Sequence, residues 1–137
     1  MKTYFMDTNL FIRYLTNDDI EKADRVEQLL NEAAKKKIKL ITAEMVIAEI
    51  VWVLESSYKI KKKQIAQMLN AIFLTPGLEV INGKLAEKAV QIYASQNIDF
   101  VDAYIVTLMS KLEISGIYSF DKKHLSRIKT IERLVYD

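Results

Sequence analysis

The alternation of apolar and polar positions predicts a chain of short strands and amphipathic helices. Thr3 to Met6 is an apolar run rich in aromatic side chains that ends abruptly at Asp7, which predicts a buried strand followed by a turn. Leu10, Phe11, Ile12, Tyr14 and Leu15 continue as a short helix. Asn17, Asp18 and Asp19 mark a turn and an acidic start for a helix from Ile20 to about Lys36, where Ala23, Val26, Leu29, Leu30 and Ala33 recur at helical spacing. Lys35, Lys36 and Lys37 close it, where cations complement the helix dipole. Ile38 to Ile41 predicts a second, edge-like strand.

Thr42 is placed to cap a helix from Ala43 to about Ser57 that is apolar almost all round. Lys61 to Leu74 predicts an amphipathic helix with Ile65, Met68, Leu69, Ile72 and Phe73 inward, stopped by Thr75-Pro76-Gly77. Leu78 to Ile81 reads as a third strand, and Asn82 as the cap of a helix to about Ser95. Asp99 opens another apolar helix through Leu112, and Gly116 to Phe120 is a fourth strand ending in Asp121. A short basic helix from Lys122 to about Ile128 and a last strand near Glu132 to Val135 complete the chain. Strands alternating with helices imply βαβ units, hence one three-layer α/β domain over residues 1–137, with a mostly parallel sheet of about four to five strands and helices on both faces.

Composition narrows the chemistry. The 137 residues contain no cysteine and one histidine, His124, which removes thiolate metal sites and argues against His-rich zinc sites and His-based triads. Half the residues are hydrophobic and 28% charged, as in an ordinary globular protein, and the net charge of +2 permits a polyanionic partner without requiring one. The most apolar stretch, Met45 to Leu54, is too short to span a bilayer, and the N-terminus has no signal-peptide pattern, so a cytoplasmic protein without a membrane partner is expected.

The candidate chemistry lies in the acids. Asp7 and Asp121 each end an apolar strand, and ligands of α/β sheets gather at strand carboxyl ends; each Asp is equally suited to cap the next helix. Glu49 is surrounded along its helix by Met45, Val46, Trp52 and Val53, so it is expected to be buried, and a buried carboxylate needs a cation or a metal as partner. Asp99 and Asp102 stand three apart, as in a capping box, which is the structural account of that pair. If the helices bring Glu49 and Asp102 to the ends of the two strands, four acids converge, and their repulsion calls for a divalent cation. An oxygen-only donor set selects Mg²⁺ or Mn²⁺. Arg13 and the run Lys122, Lys123, His124, Arg127 are candidates for contacting a polyanion, although basic runs are most often solvated helix ends.

Taken in order, Asp7-Thr8-Asn9 through Arg13-Tyr-Leu, Ala48-Glu49-Ile-Val-Trp, Asp99-Phe-Val-Asp102-Ala and Ser119-Phe-Asp121 resemble the PIN domain, in particular its VapC-like branch. The resemblance runs over essentially the whole chain. It implies a Mg²⁺- or Mn²⁺-dependent endoribonuclease with Asp7, Glu49, Asp102 and Asp121 as catalytic and metal-binding acids, and with Asn9, Asp99 and Ser119 in support. It further implies an RNA substrate, a VapB-like antitoxin and a homodimer. Ser119 stands where Thr is also common in that family. The alternative is a PIN-like module that binds nucleic acid or protein without catalysis. A receiver domain fits less well, because Asp7 is single and Leu78–Ile81 ends in Asn82-Gly83 rather than an acid; a phosphatase of the Asp-x-Asp type lacks its second acid at Asn9.

Overall fold

The computed structural model describes residues 1–119 and the strand 132–134. They form two compact units that divide between Gly83 and Lys84.

In the first unit, β1 (Lys2–Phe5), β2 (Ile38–Ala43) and β3 (Leu78–Ile81) pair in that order, every pair parallel. Thr3 lies opposite Lys39 and Leu40 opposite Leu78. The β1–β2 ladder continues one residue past the strand, where the Met6 amide donates to the Ile41 carbonyl at 2.8 Å. Asp7 therefore begins where sheet pairing ends.

The strand expected at the edge is the central one. β2 runs to Ala43 with a partner on each side, and Leu40 and Thr42 are buried within it. Its polar side chain Lys39 stays partly exposed and pairs through Nζ with Glu79 on β3 at 3.4 Å. Thr42 is likewise a sheet residue and not a helix cap. Its hydroxyl donates to the Met6 carbonyl at 3.0 Å, while the following helix starts at Glu44 with Ala43 as an N-cap that makes no side-chain bond.

Helix α1 (Thr8–Thr16) packs on α2 (Ile20–Ala34) and on α3 (Glu44–Ser56), and α3 packs on β2 and on α4 (Lys62–Phe73). Phe11, Leu30, Ile47, Ile50, Leu54 and Leu69 are among the buried side chains of this core. Full burial of each such side chain stabilises the fold by about 1.5–3 kcal/mol. The turn into β3 depends on Gly77, whose φ of +80° is left-handed and whose absent Cβ leaves room for the Ala33 backbone. Asn82, expected as a helix cap, takes a left-handed φ of 56° between β3 and α5 (Gly83–Ser95).

In the second unit, α5 and α6 (Phe100–Lys111) bury Leu85, Ala89, Val90, Tyr93, Ala103 and Val106. Tyr93 and Phe100 meet edge to face, with ring centroids 6.0 Å apart. β4 (Gly116–Tyr118) pairs in parallel with β5 (Glu132–Leu134). The expected α/β class with parallel strands is thus found, as a three-stranded and a two-stranded ladder. The basic helix expected after Asp121 lies outside the described residues.

Candidate active site

The first unit carries a cleft of about 410 Å³ where β1 gives way to α1. Asp7, Thr8, Asn9 and Arg13 line it from the N-terminal side of the chain, Glu49 and Val53 from α3, and Ser57 and Tyr58 from the segment after α3. Asp7 is there because the ladder ends at Met6 and the chain turns into a helix. It is the N-cap of α1, and its carboxylate accepts from the Thr8 amide at 2.8 Å. The cap leaves its exposed side chain with oxygen capacity to spare.

Glu49 differs from expectation: it is exposed. Although α3 is apolar nearly all round, it buries the arc carrying Val46, Ile47, Ile50, Val51 and Leu54. Met45, Glu49 and Trp52, at i, i+4 and i+7, share the opposite face, and Met45 and Trp52 are 75% and 66% exposed. Desolvation therefore supplies no argument for this acid. Its position on the same cleft as Asp7 does.

The donors that the cleft offers a cation are all oxygen: two carboxylates, the Asn9 and Ser57 side chains and Thr8. The Thr8 hydroxyl is buried and meets no hydrogen-bond partner among the described residues. Such an orphaned oxygen costs stability unless a ligand or water satisfies it. This donor chemistry fits a hard divalent cation. Among the described residues no three His, Cys, Asp or Glu side chains gather closely enough to hold a metal ion.

Arg13 is held at the cleft wall. Its Nη1 donates to both carboxylate oxygens of Asp18 at 3.2 Å. The Tyr58 hydroxyl donates to Asp18 Oδ2 at 2.7 Å, and the Thr16 hydroxyl lies 3.0 Å from Oδ1. These hydrogen bonds, led by that from Tyr58, hold the Asp18 carboxyl below its ordinary pKa, against a smaller opposing effect of desolvation. Arg13 and Asn9 also line an adjoining hollow of about 450 Å³ with Leu10, Lys22, Arg25, Val26 and Leu29. Lys22 and Arg25 pair there with Asp19 and Glu21 on the α2 surface. Sequence reasoning singled out Asp7, Asn9, Arg13 and Glu49 but passed over Thr8, Asp18 and Tyr58. For Tyr58 no sequence signal existed, since its partner lies 40 residues away.

The remaining candidates belong to the second unit. Asp99 is the N-cap of α6 and accepts from the Asp102 amide at 2.9 Å, which is the capping half of the expected box. Asp102 is half-buried in the first turn of α6, and Ser119 follows β4. Asp121, Lys122, Lys123 and Arg127 lie outside the described residues.

Known proteins agree with the fold. The profile of the PIN domain matches residues 4–130, across both units. A VapC ribonuclease of Aquifex aeolicus (strain VF5) is 26% identical over 118 residues, covering 86% of this chain and 87% of the relative. With all but a few terminal residues inside the family profile, the chain belongs to the PIN domain family.

Proposed function

We propose that the protein is a metal-dependent endoribonuclease, a VapC-like toxin, that hydrolyses RNA phosphodiester bonds at the Asp7–Glu49 cleft. The observation that carries this reading is the meeting of Asp7, Glu49 and Arg13 on one cleft, in a chain that matches the PIN domain over residues 4–130 and resembles a VapC ribonuclease over most of its length. The family reading treats residues 1–137 as one functional domain and assigns Asp102 and Asp121 as acids of the nuclease along with Asp7 and Glu49, with Asn9, Asp99 and Ser119 in support.

Those four acids would hold Mg²⁺ or Mn²⁺, which when bound lowers the pKa of a water and offsets charge on the phosphate. The chain itself supplies the rest. The sheet end and the α1 cap fix the Asp7 carboxylate, so its geometry does not have to be organised during reaction. Arg13 presents a cation beside the acids, which without it would repel an RNA backbone. Lys122, Lys123 and Arg127, next in sequence to Asp121, are proposed to extend that contact along the strand. The family reading further implies a VapB-like antitoxin as inhibitor, a homodimer and a cytoplasmic setting; no helix among the described residues is long and apolar enough to cross a membrane.

The test is cleavage of RNA by chelator-treated protein, before and after addition of Mg²⁺ or Mn²⁺. Cleavage that returns with metal in wild type and not in Asp7→Asn supports the proposal. Undiminished cleavage in excess chelator would refute the metal mechanism, and RNA binding without cleavage under any metal would make this a binding module.

A further inference from the structure

We propose that Asp18 is a positioning residue for substrate binding: its carboxylate fixes the Arg13 guanidinium and the Tyr58 hydroxyl on the cleft wall so that Arg13 meets an RNA backbone phosphate. The inference rests on the nuclease reading and deepens it.

The geometry is specific. Asp18 stands in the turn between α1 and α2, outside the cleft, yet it gathers donors from three places: Arg13 on α1, Thr16 at the end of α1, and Tyr58 after α3. Two of those donors, Arg13 and Tyr58, line the cleft with Asp7 and Glu49, whereas Asp18 does not. Both carboxylate oxygens engage the same guanidinium nitrogen, Nη1. Nη2 and Nε of Arg13 meet no partner among the described residues, so the guanidinium keeps a second edge for another anion. A guanidinium offers five donors in a rigid fork, and two parallel N–H bonds are its usual grip on phosphate.

A lone exposed Arg–Asp pair does little for a fold. This one is different because Asp18 is also tied across 40 residues to Tyr58, which restricts the rotamers of both cleft-wall side chains. Freezing a long side chain before the ligand arrives removes part of the ordering cost of binding. Arg13 lines the adjoining hollow as well as the acid cleft, so it sits where the two meet.

Electrostatics and positioning predict opposite signs. If Asp18 acted only through its charge, Asp18→Asn would remove a negative group near a polyanion and tighten RNA binding. If it positions Arg13, the same change weakens binding by roughly three- to tenfold despite the more favourable charge. Tyr58→Phe leaves the charge unaltered and is expected to weaken binding in the same direction by less. In an Arg13→Ala background there is no guanidinium left to position, so Asp18→Asn should no longer weaken binding.

The experiment is a fluorescence-anisotropy titration of a labelled single-stranded RNA oligonucleotide in chelator, with wild type and these variants. It is paired with steady-state cleavage in Mn²⁺, where the variants should raise KM with little change in kcat. Equal or tighter binding by Asp18→Asn overturns the proposal while the nuclease reading stands. Absence of cleavage by wild type overturns the nuclease reading, and the anisotropy series still decides the role of Asp18. If wild type neither binds nor cleaves RNA, both fall, and if it cleaves without binding in chelator, the proposal for Asp18 falls alone. Should Asp18→Asn fail to fold, Tyr58→Phe decides alone, and unchanged affinity in that variant overturns the proposal.

Discussion

Replacing Asp7 separates the two things that its carboxylate does, capping α1 and facing the cleft. Asp7→Asn keeps an oxygen able to accept from the Thr8 amide, so the cap found at 2.8 Å survives. What is lost is one negative charge at the helix N-terminus, about 0.3–1 kcal/mol at an exposed position. For a domain of this size that lowers Tm by no more than about 5 °C. Asp7→Ala also removes the acceptor and is expected to cost about 0.5–2 kcal/mol. The lower end applies, because the bond reaches only the adjacent amide. Metal adds a further contribution. At 100 times its Kd, Mn²⁺ stabilises wild type by about 2.7 kcal/mol. If losing one charged ligand weakens binding about tenfold, the same concentration stabilises the Asn variant by only about 1.4 kcal/mol. Calorimetric melts of wild type and both variants, with chelator and with Mn²⁺, resolve that difference. An Asn variant that gains as much from Mn²⁺ as wild type does would reduce Asp7 to a helix cap and remove it from the metal site.

The other predictions use the same logic. Asp99→Asn should leave stability nearly unchanged and Asp99→Ala should cost about 1 kcal/mol, because the amide of Asp102 loses its acceptor only in the latter; urea melts distinguish them. Asp102→Asn should melt no lower than wild type in chelator and gain less from Mn²⁺ if it faces the other acids, whereas a lower Tm with full Mn²⁺ stabilisation would make it only a first-turn acid. Gly77→Ala should be strongly destabilising by chemical denaturation, since the new methyl would run into the Ala33 backbone at a left-handed φ. Asp18, its folded pKa lowered below the ordinary aspartate value by the Tyr58 hydrogen bond first of all, contributes stability that is fully present above that ordinary value and lost as pH falls through the folded pKa. Tyr58→Phe should therefore flatten the acid limb of a stability–pH curve, and an unaltered limb would contradict the assigned bond.

The α/β order of elements was legible because each helix carries its own apolar stripe and each strand is bounded by turn residues, as at Thr75-Pro76-Gly77. What was not legible is which apolar surface finds a partner. Met45 and Trp52 look like core residues in sequence and are exposed, because α3 can bury only one arc against β2, α1 and α4. Glu49 was singled out for a burial it does not have, and its place on the Asp7 cleft depends on packing between elements far apart in the chain. The same holds for β2, expected at an edge and found in the centre, and for Thr42, where local helix grammar lost to a bond back to β1.

The Met6 backbone is pinned on both sides of its Cα, its amide by Ile41 and its carbonyl by the buried Thr42 hydroxyl. The residue ahead of Asp7 consequently has almost no play, and the acid inherits its coordinates from the central strand. Attenuating changes need not touch the cleft: Thr42→Val, a swap of nearly equal volume hidden in the sheet, would unfasten the backbone one residue before the acid. A random-mutagenesis screen for weakened activity should accordingly return hits along β2 as well as around the cleft.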